Sequence, residues 1–240
     1  WERYVQRETT KSAQELLNAS YDNYNEVGKI IENHSRLIEE LRHIQPSKSR
    51  DISDIVEETN IALQEQSNTI QFGLGKLDNF AGGMTRKEIT VLGGRPGHGK
   101  TTLMLNIVRG LIEQGYNVML LNREMRNVET MKKLYVMESR DITYSMIRSG
   151  ITDEKKPALT SVSEYVKDKY ANLTAFDDIR NLDDCIREIN KHKPDVVIDD
   201  YIQLIRPRNT IIQRRFQIEE ILHEYKWIAK TENIPVILVS

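Results

Sequence analysis

Cysteine is nearly absent from this sequence. The one thiol, Cys185, has no partner for an internal disulfide and cannot build a cysteine-based zinc cluster, so the composition fits a reducing, cytoplasmic setting. Long apolar runs are also missing. None approaches the roughly 20 residues that span a bilayer, so no membrane contact is expected and a soluble chain is. The opening WERYVQRETT has no apolar core of a signal peptide and no initiator Met, which points to a processed or cropped start. An excess of either charge is lacking too. The 34 Lys and Arg against 36 Asp and Glu leave −2, which excludes a globally basic nucleic-acid coat and confines any such contact to a local patch. Internal repeats and low-complexity tracts are absent. What remains is a 240-residue chain, 39% hydrophobic and 29% charged, polar for a globular protein but too apolar for a disordered one. Its length fits one or two domains.

The first 45 residues read as a helical hairpin. Tyr24, Val27, Ile30, Ile31, Leu37, Ile38, Leu41 and Ile44 recur at spacings of three and four, one stripe along a helix. Tyr4, Val5, Leu16 and Leu17 offer a partner face, and Asn18–Asn23 is a polar turn candidate. So small a hairpin buries little surface, so it is expected to pack on something outside this chain. Residues 46–68 form a linker: Pro46 stops a helix, and Asp51 caps a short one carrying Ile52, Ile55, Val56, Ala62 and Leu63. That helix packs either on its own domain or on a neighbouring subunit; the pattern leaves both open.

From residue 69 to 240 strands and helices alternate. Ile89–Leu92, Asn117–Leu121, Leu173–Phe176, Val196–Ile198 and Pro235–Val239 are short apolar runs. Between them lie helical patterns at Thr101–Glu113, Leu182–His192 and Phe216–Lys230. This predicts an α/β fold with a parallel sheet covered on both faces.

Between the first strand and the first helix stands Gly94-Arg95-Pro96-Gly97-His98-Gly99-Lys100-Thr101, a match to G-x-x-x-x-G-K-[ST]. Glycines let backbone N–H groups curl around phosphate oxygens, and the helix N-terminus adds partial positive charge. Lys100 reaches the outer phosphates and the Thr101 hydroxyl ligates Mg²⁺. A chance match in a chain this long is on the order of one in a hundred, and the strand and helix around it lower that further. ATP with Mg²⁺ is the expected ligand, held by residues 94–102, Thr102 included.

Carboxylates are expected at the far end of that ligand. Asp199 and Asp200 end the fourth strand run, where one of them can hold the water shell of Mg²⁺; adjacent strand residues point to opposite faces, so only one can. Glu124 follows the second strand, expected to lie next to the phosphate-loop strand, where a glutamate polarises the attacking water. A surface glutamate opening a helix has the same spacing. Arg206, Arg208, Arg214 and Arg215 fall in ten residues without an acid, a patch suited to the phosphates of single-stranded DNA. Phe216 is the nearest aromatic, so base stacking is not evident.

Taken together, these motifs resemble the RecA-like P-loop ATPase domain of the DnaB-family replicative DNA helicases. Gly73-x-x-x-Leu77-Asp78 with Gly82-Gly83, the phosphate loop with its Arg95-Pro96 pair, Ser139-Arg140, Ile147–Gly150 and Val197–Leu204 carry the resemblance. Leu121-Asn122-Arg123-Glu124-Met125 resembles a family serine-leucine-glutamate-methionine segment, of which only the Glu124-Met125 part matches, so that Arg123 departs from it. The family has one aspartate before its Tyr-x-Gln-Leu segment. That register assigns the magnesium-linked role to Asp200, leaves Asp199 as an extra acid, and makes Glu124 the general base. Catalytic roles thus fall on Lys100, Glu124 and Asp200, and metal contacts on Thr101 and Asp200. The resemblance also implies a collar hairpin over residues 1–45, a linker helix docking on the adjacent ATPase domain, and a homo-hexameric ring. It implies 5′→3′ movement on one DNA strand, with the basic loop facing the channel and a primase and a helicase loader as partners. The family continues past Ser240 with a polar sensor and an arginine finger, so the chain is expected to be a fragment. Two other readings compete: a RecA-type strand-exchange recombinase, and a nucleotide-switched loading or scaffolding protein without enzymatic activity.

Overall fold

A computed structural model of the chain describes residues 2–22, 51–64, 69–207 and 213–240. The chain divides into two units, Trp1–Gln66 and Ser67–Ser240. In the first, α1 spans Glu2–Asp22 and α2 spans Ile52–Gln64. The turn expected at Asn18–Asn23 does not begin there, because α1 continues through Asp22; no glycine or proline interrupts it. The expected second hairpin helix, Tyr24–Ile44, lies outside the described residues. On α2 the apolar residues Ile52, Ile55, Val56 and Ile61 are all exposed.

The second unit opens with a short antiparallel pair, β1 (Thr69–Ile70) and β2 (Met84–Thr85), around helix α3 (Gly75–Ala81). Asp78 on α3 ties this entry segment together. Its two carboxylate oxygens accept the backbone N–H groups of Phe72 at 2.6 Å and Leu74 at 2.7 Å. The core then alternates as expected. Strand β3 (Ile89–Leu92) leads into α4 (Lys100–Glu113), and β4 (Val118–Asn122) into α5 (Asn127–Glu138). Helices α6 (Tyr144–Ser149) and α7 (Lys156–Lys169), unassigned from the sequence, precede β5 (Leu173–Phe176) and α8 (Leu182–His192). Strand β6 (Val196–Asp200), α9 (Arg214–Glu232) and β7 (Val236–Val239) complete it.

The five core strands are all parallel, in the order β3-β7-β6-β4-β5. Their alternation sends residues to two cores. Leu120, Ile198 and Val239 meet Met104, Leu105 and Val108 of α4 on one face. Leu121, Val197 and Leu238 meet Ile189 of α8 and Ile221 and Tyr225 of α9 on the other. Every residue of β4, β6 and β7 is buried, the signature of strands covered on both sides.

This order corrects one expectation: β4, which leads to Glu124, is not next to β3. Strands β7 and β6 stand between them. The last strand, Val-Ile-Leu-Val, is apolar on both faces and takes a position with neighbours on both edges. Strand β3, whose Val91 is 57% exposed, pairs with β7 alone among the described residues.

Helix α4 is held against the entry segment by a contact that tolerates no side chain. A Cβ on Gly110 would lie 2.5 Å from the Phe72 carbonyl oxygen, and one on Gly73 would lie 2.4 Å from the Gly110 Cα. Alanine at Gly110 would gain about 1 kcal/mol of helix propensity, but the clash is with backbone, and overpacking of this kind costs about 1–3 kcal/mol. Gly110→Ala is therefore expected to lower stability by about 1 kcal/mol in denaturant unfolding.

Candidate active site

The phosphate loop emerges from β3 as an exposed turn, and α4 starts at Lys100. Gly97 and Gly99 sit at φ of 80° and 82°, in the left-handed region that side-chain-bearing residues avoid. Those angles curl the loop so that the first N–H groups of α4 face its concave side, where anions are stabilised. Arg95, Pro96 and His98 ride on the exposed rim. Gly94 lies against the Lys100 chain: a Cβ there would be 3.3 Å from Lys100 Cγ. Lys100 Nζ donates to the Gly94 carbonyl at 2.5 Å, so the ammonium lies over the loop. Thr101 is half-buried on the first turn and Thr102 is exposed.

The tip of β7 meets this loop. Gly94 N–H donates to the Ser240 carbonyl at 3.1 Å, and Ser240 N–H to the Leu92 carbonyl at 3.0 Å. Gln203, in a 3₁₀ turn just past β6 (Ile202–Leu204), donates its side-chain amide to Ser240 Oγ at 2.6 Å. The link from Gln203 to Ser240 could not be read from sequence, since it joins two strand tips 37 residues apart.

Two aspartates end β6, and pairing with β4 decides what each does. The register is Leu121 to Asp199 and Asn122 to Asp200. Asp200 therefore shares the face of α4, and Asp199 the face of α8 and α9. Both side chains are fully buried. Neither carboxylate oxygen of Asp200 has a hydrogen-bond partner. Burial pushes its pKa up to about 6, with the negative charges of Glu124 and Asp199 adding to the rise and Lys100 and Lys133 opposing it. The charges of Lys100 and Glu124 thus both act on Asp200. Lys133, on α5, is a cation at this site that sequence reasoning missed.

Asp199 is paired instead. It accepts hydrogen bonds from the guanidinium of Arg123 and from the Tyr225 hydroxyl. Arg123 is 5% exposed and donates a second bond to Cys185 Sγ at 2.8 Å. Burial opposes the charge on Arg123, but Asp199, Tyr225 and Cys185 together outweigh it and hold the guanidinium above its ordinary value. Cys185 is fully buried; besides accepting from Arg123 it donates to the Asn181 carbonyl at 3.0 Å.

Glu124 is exposed, and both its neighbours are anchored. Arg123 N–H donates to the Asp200 carbonyl at 2.7 Å. Met125 N–H donates to Asn122 Oδ1 at 3.1 Å, and Asn122 Nδ2 donates to Thr130 Oγ1 at 2.7 Å. Asn122 is wholly buried, a positioning residue with no motif to announce it.

Of the basic cluster, Arg208 lies outside the described residues. Arg206 and Arg215 are exposed. Arg214 opens α9 and is exposed as well, yet it is engaged: Nη2 donates to the Gln203 carbonyl at 2.5 Å and Nη1 to Gln217 Oε1 at 2.7 Å.

The donor set fits Mg²⁺ bound with phosphates. Among the described residues no three His, Cys, Asp or Glu gather to hold a metal alone. A buried carboxylate without a partner, subject to the charge of Lys100 in an anion-binding loop whose helix carries Thr101 in its first turn, is a suitable arrangement for a hard cation that keeps its waters and shares phosphate oxygens. Among the described residues no helix is long and apolar enough to cross a membrane.

Comparison with known proteins bears on the family and the fold. The family model for the DnaB-like helicase C terminal domain matches residues 69–240. A probable replicative DNA helicase of Guillardia theta is 22% identical over 254 residues, covering 100% of this chain and 41% of that protein. The replicative DNA helicase DnaB of Buchnera aphidicola is 26% identical over 261 residues, covering 100% of this chain and 55% of that one. The chain thus spans about half the length of the curated relatives it matches. A solved structure of a DnaB-like replicative helicase, described with its interactions with primase, is 22% identical at a TM-score of 0.67, covering 100% of this chain and 58% of that chain. At that identity the likeness establishes the fold, which is the RecA-like α/β core expected.

Asp200 sets a pH dependence whose sign follows from its raised pKa. A buried acid that ionises only near 6 contributes stability below its unfolded value of about 3.8 and loses it as pH climbs through 6. Between pH 4 and 7.5 the nucleotide-free protein is expected to lose about 2 to 3 kcal/mol more than Asp200→Asn does over the same range. Paired urea titrations of the two proteins read that difference.

Proposed function

Because this chain belongs to the DnaB-like helicase C-terminal domain family, we propose that it is the motor portion of a replicative DNA helicase subunit. It binds ATP and hydrolyses it to drive translocation on single-stranded DNA and duplex unwinding. The observation that carries the reading is Asp200, buried without a partner and subject to the charges of Lys100 and Glu124 at the mouth of a phosphate loop.

In this mechanism the loop of residues 94–99 wraps the β- and γ-phosphates, with the N–H groups of Gly97, Gly99 and the first turn of α4 donating to them and Thr102 just behind. Thr101 Oγ1, and Asp200 through water, would hold Mg²⁺, which would supply positive charge to neutralise those phosphates. Lys100 swings from the Gly94 carbonyl to the γ-phosphate oxygens and stabilises charge on the transferring phosphoryl group. Glu124 accepts a hydrogen bond from the attacking water, orients it, and takes its proton as the new P–O bond forms. The bond from the γ-phosphorus to the bridging oxygen breaks, leaving ADP and phosphate.

The assembly part of the proposal rests on surfaces. The exposed apolar residues of α2 suit a helix that docks on the adjacent subunit of a homo-hexameric ring, with residues 1–45 contributing to a collar. Residues 46–68 then act as linker and 69–240 as motor. Arg206, Arg208, Arg214 and Arg215 face single-stranded DNA. Arg214 hangs on Gln203, which bonds Ser240, whose carbonyl accepts from Gly94; the basic stretch is thereby connected to the phosphate loop. A primase is the partner that the DnaB-like neighbour's description suggests, with a helicase loader as a second. No observation favours the recombinase or scaffold readings.

Lys100→Ala and Glu124→Gln in the full-length protein test the chemistry. Lys100→Ala is expected to lower DNA-stimulated ATP hydrolysis by about 10²–10³-fold. Glu124→Gln is expected to lower it by about 10²–10⁴-fold while still binding nucleotide. Duplex unwinding should be lost in both, and unwinding at the wild-type rate by either variant would refute its role. Arg206→Ala with Arg215→Ala should weaken binding to oligonucleotides of any sequence and flatten the slope of log affinity against log salt by about 1 to 2.

A further inference from the structure

The site leaves one feature unused: a buried charge pair that takes no part in binding nucleotide. Arg123 and Asp199 are both departures from the pattern of the family this sequence resembles, which has an apolar residue before the glutamate and a single aspartate. They are 76 residues apart in sequence, yet the β4–β6 register puts them on one face of the sheet, and they bond to each other. Two departures that meet in space account for one another: an unpaired Arg123 or an unpaired Asp199 would be a buried charge without compensation.

Stability is a poor explanation for the pair. A buried ion pair seldom outperforms apolar residues of the same volume, and Arg123 Nε has no partner at all. Position explains it better. Hydrogen bonds are directional, and this set runs between elements. Arg123 on the tip of β4 grips Asp199 on β6, Cys185 on α8 meets the same guanidinium, and Tyr225 on α9 grips the same carboxylate. The backbone of Arg123 is bound to Asp200 as well. On the other side of Glu124, Asn122 holds the N–H of Met125. Glu124 is exposed, and among the described residues its side chain makes no hydrogen bond or ion pair, so its place is set by the residues flanking it.

We infer that Arg123 and Asp199, with Tyr225 as second donor, act as positioning residues for Glu124. They fix the tip of β4 against β6 so that the Glu124 carboxylate and Asp200 keep a constant separation. The inference rests on the role proposed above for Glu124. In the apolar form of this device, side-chain packing would hold the same tip; in this chain a charged lock has replaced it.

The test compares Asp199→Asn, Arg123→Leu, Glu124→Gln, the double variant Asp199→Asn with Glu124→Gln, and a triple variant Arg123→Leu, Asp199→Ile, Tyr225→Phe in the full-length protein. Asp199→Asn keeps the shape and a hydrogen-bonding group, so it carries the test if Arg123→Leu does not fold. Each is assayed for the stoichiometry and affinity of a fluorescent ATP analogue and for kcat per bound nucleotide. Asp199→Asn is expected to bind nucleotide as wild type does, with kcat lowered about ten- to a hundredfold, the scale of a small misplacement of a reacting group. It should add nothing further in the Glu124→Gln background, because it acts through that residue. The triple variant should recover to within about threefold of wild type, since it matches apolar groups across the same gap. A purely structural role would instead lower binding stoichiometry and kcat together and would add to Glu124→Gln. Wild-type kcat in Asp199→Asn, or no recovery in the triple variant, with Glu124→Gln inactive, overturns the positioning inference alone. Wild-type hydrolysis by Glu124→Gln overturns both it and the role of Glu124.

Discussion

The parallel pairing of β4 with β6 is the constraint on which the site depends. It opposes Leu121 to Asp199 and Asn122 to Asp200. A strand sends successive side chains to opposite faces, so two chemically identical neighbours receive different environments. Asp199 enters a face lined by Arg123, Cys185 and Tyr225 and is satisfied there. Asp200 enters the face shared with α4 and is left without a partner. A slip of one residue would exchange them, putting a neutralised carboxylate at the phosphate loop and an unpaired one against α9. Because every residue of both strands is buried, that slip would also have to repack the two close-packed faces and separate Arg123 from Asp199.

The same arrangement explains why stability and chemistry pull in opposite directions at this end of the sheet. An unpaired buried carboxylate costs free energy unless it is protonated or meets a cation. The fold tolerates Asp200 because the cost is confined to one residue and the tips around it are anchored. Arg123 and Asn122 bracket β4, Gln203 and Ser240 bridge β6 and β7, and Gly94 joins β7 to the phosphate loop. Three strand tips and one loop are thereby connected by side-chain and backbone bonds rather than by packing alone. The basic stretch after β6 joins the same set through Arg214.

Much of this was legible in residue order. The phosphate loop announces itself because backbone curvature demands glycine at fixed positions and the helix after it supplies the anion site. The limits of β3, β5 and α8 follow from local apolar periodicity and match the structure residue for residue. Strand β6 runs two residues further than its apolar pattern indicated, and helix α9 two residues further at each end: polar residues extend a helix or strand wherever its hydrogen bonds continue. Asn122, Lys133 and Ser240 carried no signal, since each matters only through a neighbour distant in the chain. The same holds for Arg123, a mismatch to a motif when read along the chain and half of a pair when read across the sheet.

Local chemistry was therefore written in the residue order: which loop holds phosphate, which strands are buried, and which acids stand at strand ends. Spatial order was not. That β7 and β6 lie between the phosphate loop and Glu124, that Asp199 belongs to one face and Asp200 to the other, and that Arg123 has a partner all depend on which strands pair and in what register. Pairing is a contest among several apolar strands for central positions. Its outcome is set by long-range packing on both faces of the sheet, and no short window of sequence contains both sides of that contest.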